Sequence, residues 1–204
     1  PAHSGWGTTP KERNIAMQSD SVHEVLQRCV DYHGHFCIGQ ALGVRIALKG
    51  LDLAAPAGEK DLIVFVENDR CIADAVLIAT GTRVGRRTLK LVDYGKMAAT
   101  FVNLAKDTAW RVGLQPFELG ELSKEEARER VLAMPDEELL SWKKVRVRLK
   151  KEDLPGKPER IVRCVRCGEK VFDGKDITEY EGEAGPFCAS CLRGAYYEPV
   201  EEQP

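Results

Sequence analysis

The sequence predicts an α+β fold, with a mixed helix and sheet N-terminal domain followed by a small C-terminal β module. Three observations carry the prediction. Apolar residues recur at helical spacing after Ser21 and again after Ile38. A β-branched run, Leu62-Ile63-Val64-Phe65-Val66, has the length and composition of a buried strand. A charged, proline- and glycine-punctuated stretch, residues 151–160, then separates off a tail too short to bury a core of its own. The expected organisation is a flexible N-terminal arm over 1–20, an α+β domain over 21–150, a linker over 151–160 and the C-terminal module over 161–204.

The first helix opens on Ser21-Val22-His23-Glu24, the pattern of a capping box, and Gly34 can end it. A second, largely buried helix follows through Ala41, Leu42, Val44, Ile46, Ala47 and Leu48. Cys37 then stands at its N-terminus among unpaired backbone amides, a position that favours the thiolate. After the strand, Asn68-Asp69 caps a third helix beginning near Arg70, with Cys71 in its first turn and Asp74 three residues on. Leu89 to Val92 and Met97 to Val102 read as strands paired around Asp93-Tyr94-Gly95-Lys96 in a hairpin. Ser123 with Glu126 caps a surface helix ending near Met134, and Pro135 restarts a helical turn through Leu140. Trp142 to Lys150 alternates apolar with basic residues and reads as a strand with one face buried.

With 204 residues and a formal charge of -2, the chain gives no support for broad phosphate-backbone binding. No apolar run approaches the ~20 residues of a membrane helix, and the start lacks the apolar centre of a secretory signal. Seven cysteines without such a signal favour a reducing, cytoplasmic compartment in which thiols react or hold metal.

Cys164-Val165-Arg166-Cys167 and Cys188-Ala189-Ser190-Cys191 are two knuckles whose four thiolates make a closed tetrahedral zinc site, so the tail is expected to be a zinc ribbon. Four protein sulfurs leave no position for substrate, and the metal there is structural. Arg163, Arg166, Lys170 and Arg193 give the ribbon positive charge, offset by Glu169, Glu179, Glu181 and Glu183. That mixture favours a protein partner, or a second copy of the chain, over nucleic acid.

A second constellation consists of His33, His35, Cys37 and Cys71. Two cysteines at helix starts suit a shared metal or catalytic site, whereas a lone cysteine is often just a small buried residue and a helix-end histidine a cap for carbonyls. The turn Thr80-Gly81-Thr82-Arg83 and Lys96 offer cations for an anionic ligand, against the plainer reading of exposed surface charge.

His33-Gly34-His35-Phe36-Cys37-Ile38-Gly39, Glu67-Asn68-Asp69-Arg70-Cys71-Ile72-Ala73-Asp74-Ala75 and Asp93-Tyr94-Gly95-Lys96-Met97-Ala98 resemble, in order, the E-subunit family of formylmethanofuran dehydrogenase. The resemblance implies an α+β domain paired as a homodimer, a zinc ribbon appended, and His35, Cys37 and Cys71 around an active or metal-binding site, with His33 as a further candidate. Ile38 stands where that family usually has proline, and Thr82-Arg83 where it has cysteine and threonine, which removes one thiol. On this footing the chain is expected to be a metal-dependent accessory subunit or small enzyme linked to one-carbon or molybdenum- or tungsten-pterin metabolism. A second divalent metal would join the zinc, Cys37, Cys71 and Asp74 would be the catalytic candidates, and Lys96 and Arg83 would bind a small anionic ligand. The alternative is a dimeric scaffold or sensor whose ribbon docks a protein or nucleic acid.

Overall fold

A computed structural model describes residues 21–198 and 200. The expected N-terminal arm, residues 1–20, lies outside the described residues. The chain divides into two compact units, with the boundary between Arg148 and Leu149.

In the first unit, helix α1 (Val22–His33) is closed by the predicted capping box. The Ser21 hydroxyl accepts from the Glu24 N–H at 3.3 Å, and the Ser21 N–H donates to the Glu24 carboxylate at 2.7 Å. Gly34, at φ 88°, ends the helix in the left-handed conformation that costs glycine nothing. Helix α2 (Ile38–Ala54) follows, then strand β1 (Leu62–Val66), helix α3 (Cys71–Thr80), and strands β2 (Leu89–Leu91), β3 (Ala98–Asn103) and β4 (Thr108–Leu114). Helix α4 (Lys124–Ala133), the turn α5 (Asp136–Leu139) and strand β5 (Leu140–Val145) complete the unit.

The sheet order is β2-β1-β3-β4-β5, with β1 and β2 parallel and the remaining pairs antiparallel. This corrects the expected hairpin. The strands flanking Asp93 to Lys96 do not pair with each other, because β1 lies between them, with Val64 opposite both Leu89 and Phe101. The reason is burial: four of the five residues of β1 are buried, so the strand needs neighbours on both edges. The intervening loop instead crosses the end of β1, where the Tyr94 and Lys96 N–H groups both donate to the Glu67 carbonyl. The last strand is also corrected. It starts at Leu140 and ends at Val145, opposite Ala109 near the start of β4. Beyond that point β4 supplies no partner, so the alternation through Lys150 continues outside the sheet.

The core is formed where α1, α2 and α3 cover the sheet, around Leu26, Val44, Ile46, Val64, Ile72 and Phe101, all essentially inaccessible. Gly50 permits this approach, since a Cβ there would overlap the Phe101 ring. Arg45, buried in α2, donates to the Val131, Leu132 and Met134 carbonyls and to the Asp136 carboxylate at 2.7 Å, so it closes the C-terminal end of α4. Among the described residues, no helix is long and apolar enough to cross a membrane.

The second unit holds two hairpins and a short helix. Strand β6 (Ile161–Arg163) pairs with β7 (Lys170–Phe172), β8 (Ile177–Tyr180) pairs with β9 (Glu183–Phe187), and α6 (Ala189–Arg193) follows.

Candidate metal centres and an adjoining cleft

Three helix ends meet at one point in the first unit. His33 is the last residue of α1, Cys37 is the residue that caps the start of α2, and Cys71 is the first residue of α3. One ligand atom from each lies within 4.8 Å of the other two. Small residues make this convergence possible. A Cβ on Gly43 would lie 2.7 Å from the Ala75 Cβ and 3.1 Å from the Ile72 Cα, so α2 and α3 cross almost backbone to backbone. One turn nearer the cysteines, a Cβ on Gly39 would lie 3.3 Å from the Cys71 Cβ and 3.7 Å from the Cys37 Sγ.

Gln40, fully buried, holds the Cys37 corner. Its amide N–H donates to the Cys29 carbonyl at 3.0 Å, and its amide oxygen accepts from the Cys37 N–H at 3.2 Å. The sequence reading missed this residue, although Cys37-x-x-Gln40 has the spacing of a capping box. At the Cys71 corner, Glu67 ends β1 in a bidentate pair with Arg111, both contacts at 2.7 Å, and the Asn68 side chain accepts from the Arg70 N–H.

Asp74 sits one turn beyond Cys71, and its carboxylate is 2.7 Å from Nδ1 of His33. That contact fixes the imidazole and leaves Nε2 as its free ligand nitrogen. His35 stands outside the donor set, its ring centroid 4.9 Å from that of His33, so His33 is the imidazole that joins the two thiols. The reversal at Gly34 separates the two histidines, a distinction that spacing alone does not make.

Burial and the adjacent Cys71 thiol push the Cys37 thiol above its ordinary value, against the pull of the Gln40 and Gly39 N–H groups. The expected stabilisation of the thiolate by the helix start is therefore outweighed here. Cys29, wholly buried, is pushed up to about 12 by desolvation and packs as an apolar side chain. Two thiols and an oriented imidazole, with a carboxylate behind the imidazole, match a divalent metal site with one open position, and a cation there would offset the crowding of the two sulfurs.

Arg83 and Thr82 follow the C-terminal end of α3, about 15 Å along the helix from Cys71. Thr82 is buried, its hydroxyl 2.7 Å from that of Thr80. Lys96 is exposed, with its ammonium 6.0 Å from the Tyr94 ring centroid. None of the three joins the donor set. A cleft of about 410 Å³ does adjoin it, running between residues 35–38 and the start of α4 with the segment before it. Cys37 belongs to both the donor set and the cleft wall.

In the second unit, Cys164, Cys167, Cys188 and Cys191 bring four sulfurs within 4.8 Å of one another. Gly168, at φ 75°, allows the first knuckle to close, and its N–H donates to the Cys164 carbonyl at 2.9 Å. Sulfurs at the ~2.3 Å zinc distance on a tetrahedron stand about 3.8 Å apart, which is the separation of Cys167 and Cys188 Sγ. Backbone N–H groups of Cys167 and Cys188 pull Cys164 down to about 6, whereas the Cys188 and Cys167 thiols push Cys191 up to about 12. Four thiols at this spacing cannot all ionise without a cation among them, so the donor set fits a metal.

The fold and these two clusters define a two-unit protein, a mixed α/β domain with a thiol and imidazole centre at its helix starts, followed by a four-cysteine β-hairpin module. Residues 32–163 match the FmdE family, described as "FmdE, Molybdenum formylmethanofuran dehydrogenase operon", and the chain belongs to that family. Its fold is similar to the crystal structure of an FmdE-like protein of the tungsten formylmethanofuran dehydrogenase type from Syntrophus aciditrophicus. The TM-score is 0.62 over 89% of this chain and 97% of that one, at 21% identity. A stretch of 94 residues is 38% identical to a protein of Archaeoglobus fulgidus described as "Probable S-adenosyl-L-methionine-binding protein", covering 43% of this chain and 25% of that protein. The chain thus spans about a quarter of that relative's length.

Proposed function

We propose that the first unit is a metal-dependent small-molecule site, serving either a small enzyme or an accessory subunit of one-carbon or pterin-linked metabolism, and that the second unit is a zinc ribbon with a structural role. The observation that carries the reading is the meeting of His33, Cys37 and Cys71 with Asp74 hydrogen-bonded behind the imidazole. Nε2 of His33 and the two sulfurs would hold a divalent metal such as zinc, which when bound supplies Lewis-acid polarisation at its remaining position. Asp74 keeps Nδ1 protonated and the ring aimed. Gln40 holds the Cys37 backbone, and the α2–α3 crossing fixes the spacing of the sulfurs. The four cysteines of the ribbon complete their own coordination and tie two hairpins that lack a large core.

The test is a metal count. Elemental analysis of the wild type should give two metals per chain, and Cys37→Ser with Cys71→Ser should remove one while the ribbon keeps the other. A single metal in the wild type, or two in the double variant, would leave only the zinc-stapled scaffold. S-adenosyl-L-methionine, the ligand named for the Archaeoglobus relative, is a natural compound to titrate against the two-metal form.

A further inference from the structure

The cleft beside Cys37 is built unlike the rest of the surface. Phe36, Ile38, Leu119 and Leu122 give it apolar walls, and its volume of about 410 Å³ falls in the range of small-molecule sites. Leu122 remains 37% exposed at its mouth. Polar groups are few and placed on opposite sides. On one side stand His35 and Cys37, the latter also a member of the thiol and imidazole centre. On the other, the N-terminal turn of α4 brings Lys124 to the cleft.

The polar atoms of that turn are otherwise committed. The Ser123 hydroxyl accepts from the Glu126 N–H, and the Ser123 N–H donates to the Glu126 carboxylate. Lys124 makes no hydrogen bond or ion pair among the described residues. It is the cation that this wall offers to a ligand, and the positive end of α4 adds to its field. The guanidinium of Arg128 stacks over Phe36 at 5.3 Å and holds that ring as part of the wall.

We propose that this cleft binds a small organic acid with an apolar body, its carboxylate or phosphate on Lys124, its chain along Phe36, Ile38, Leu119 and Leu122, and a thiol or carbonyl head at the Cys37 end. The head-group part rests on the metal reading given above. The acid and the apolar body do not, since they depend only on the cleft and Lys124. Leu122 is the size gate, and Lys124 selects anions over neutral molecules of the same shape. Arg83 and Lys96, the cations singled out in the sequence, lie outside this cleft.

Two probes separate the two layers of the argument: hexanoate, and 6-mercaptohexanoate, which adds a soft head. Binding to full-length, metal-loaded protein is followed by amide chemical shifts, with metal content counted before and after titration. Hexanoate should shift the amides of residues 35–38 and 119–127. Lys124→Gln should weaken it about 3- to 10-fold while 1-hexanol, which carries no charge, is unaffected. Leu122→Trp should weaken both at least tenfold. The thiol should add at least tenfold in affinity to 6-mercaptohexanoate over hexanoate, and that increment should vanish in Cys37→Ser with Cys71→Ser. Hexanoate shifts located elsewhere, or equal binding by both cleft variants, would overturn the cleft proposal. Hexanoate binding as expected but with no thiol increment would leave the cleft standing and overturn the metal reading instead.

Discussion

Replacing Gly43 by alanine tests the device that brings the two cysteines together. The added Cβ would meet the Ala75 Cβ at 2.7 Å, so restoring an ordinary contact of about 3.5 Å requires α2 and α3 to part by about 0.8 Å. Overpacking of this kind costs about 1–3 kcal/mol, and the better helix propensity of alanine returns up to about 1 kcal/mol. The net destabilisation is about 1 kcal/mol, a fall of roughly 3–5 °C in the melting temperature of a unit this size. The larger effect falls on the centre itself. Gly43 is one turn, about 6 Å, from Gly39 and the cysteines, and coordination tolerates only about 0.2 Å of misplacement. Gly43→Ala should therefore lose the first-unit metal to a chelator that leaves the ribbon metal in place. Gly85→Ala, where a Cβ meets nothing within 4 Å, should change neither. The measurements are melting followed by circular dichroism and elemental analysis after chelator dialysis. A Gly43→Ala protein that melts within about 1 °C of wild type and keeps both metals would refute the close crossing as the origin of the site.

Asp74→Asn should lower first-unit metal affinity about 10- to 100-fold in chelator competition, with the ribbon metal unchanged, because the ring of His33 loses its carboxylate partner. Cys167→Ala should release the ribbon metal and expose residues 161–198 to protease while the first unit melts as before. Asp136 should give the fold an acid-sensitive contact. Burial raises its pKa, but Arg45 and Lys49 more than offset this and hold it below 3.8. A carboxyl depressed in the folded state contributes stability that is complete well above pH 3.8 and is lost as the pH falls through the lower folded value. With a third of the side chain exposed, Asp136→Asn should cost about 1 kcal/mol at pH 7 and progressively less below pH 3.8, as read by urea unfolding.

What could be read in the sequence was local. The capping boxes at Ser21 and Ser123, the stop at Gly34 and the two cysteine knuckles each depend on residues within a few positions of one another, and all are present. Cys37 and Cys71 are likewise at helix starts, as their flanking residues indicated. What escaped was set by tertiary contacts. Nothing near Leu89 or Met97 announces that β1 will separate β2 from β3. The strand β4 is disguised by Trp110, Arg111 and Gly113, whose places depend on β3, β5 and Glu67. The division of labour between His33 and His35 follows from Asp74, which lies far along the chain from both. The cleft needed α4 to be placed against the 35–38 turn, which no periodicity encodes.

The buried guanidinium of Arg45 has a consequence for how the cleft responds to what enters it. Arg45 lies seven residues into the helix that begins just after Cys37, about 10 Å along its axis, and it grips the carbonyls that end α4. Both banks of the cleft are thereby moored to one rod, the near bank by its first turn and the far bank by its second and third. The width of the opening is accordingly set by a helix and not by the loops at its mouth, so selectivity comes from length and shape already in place before anything binds.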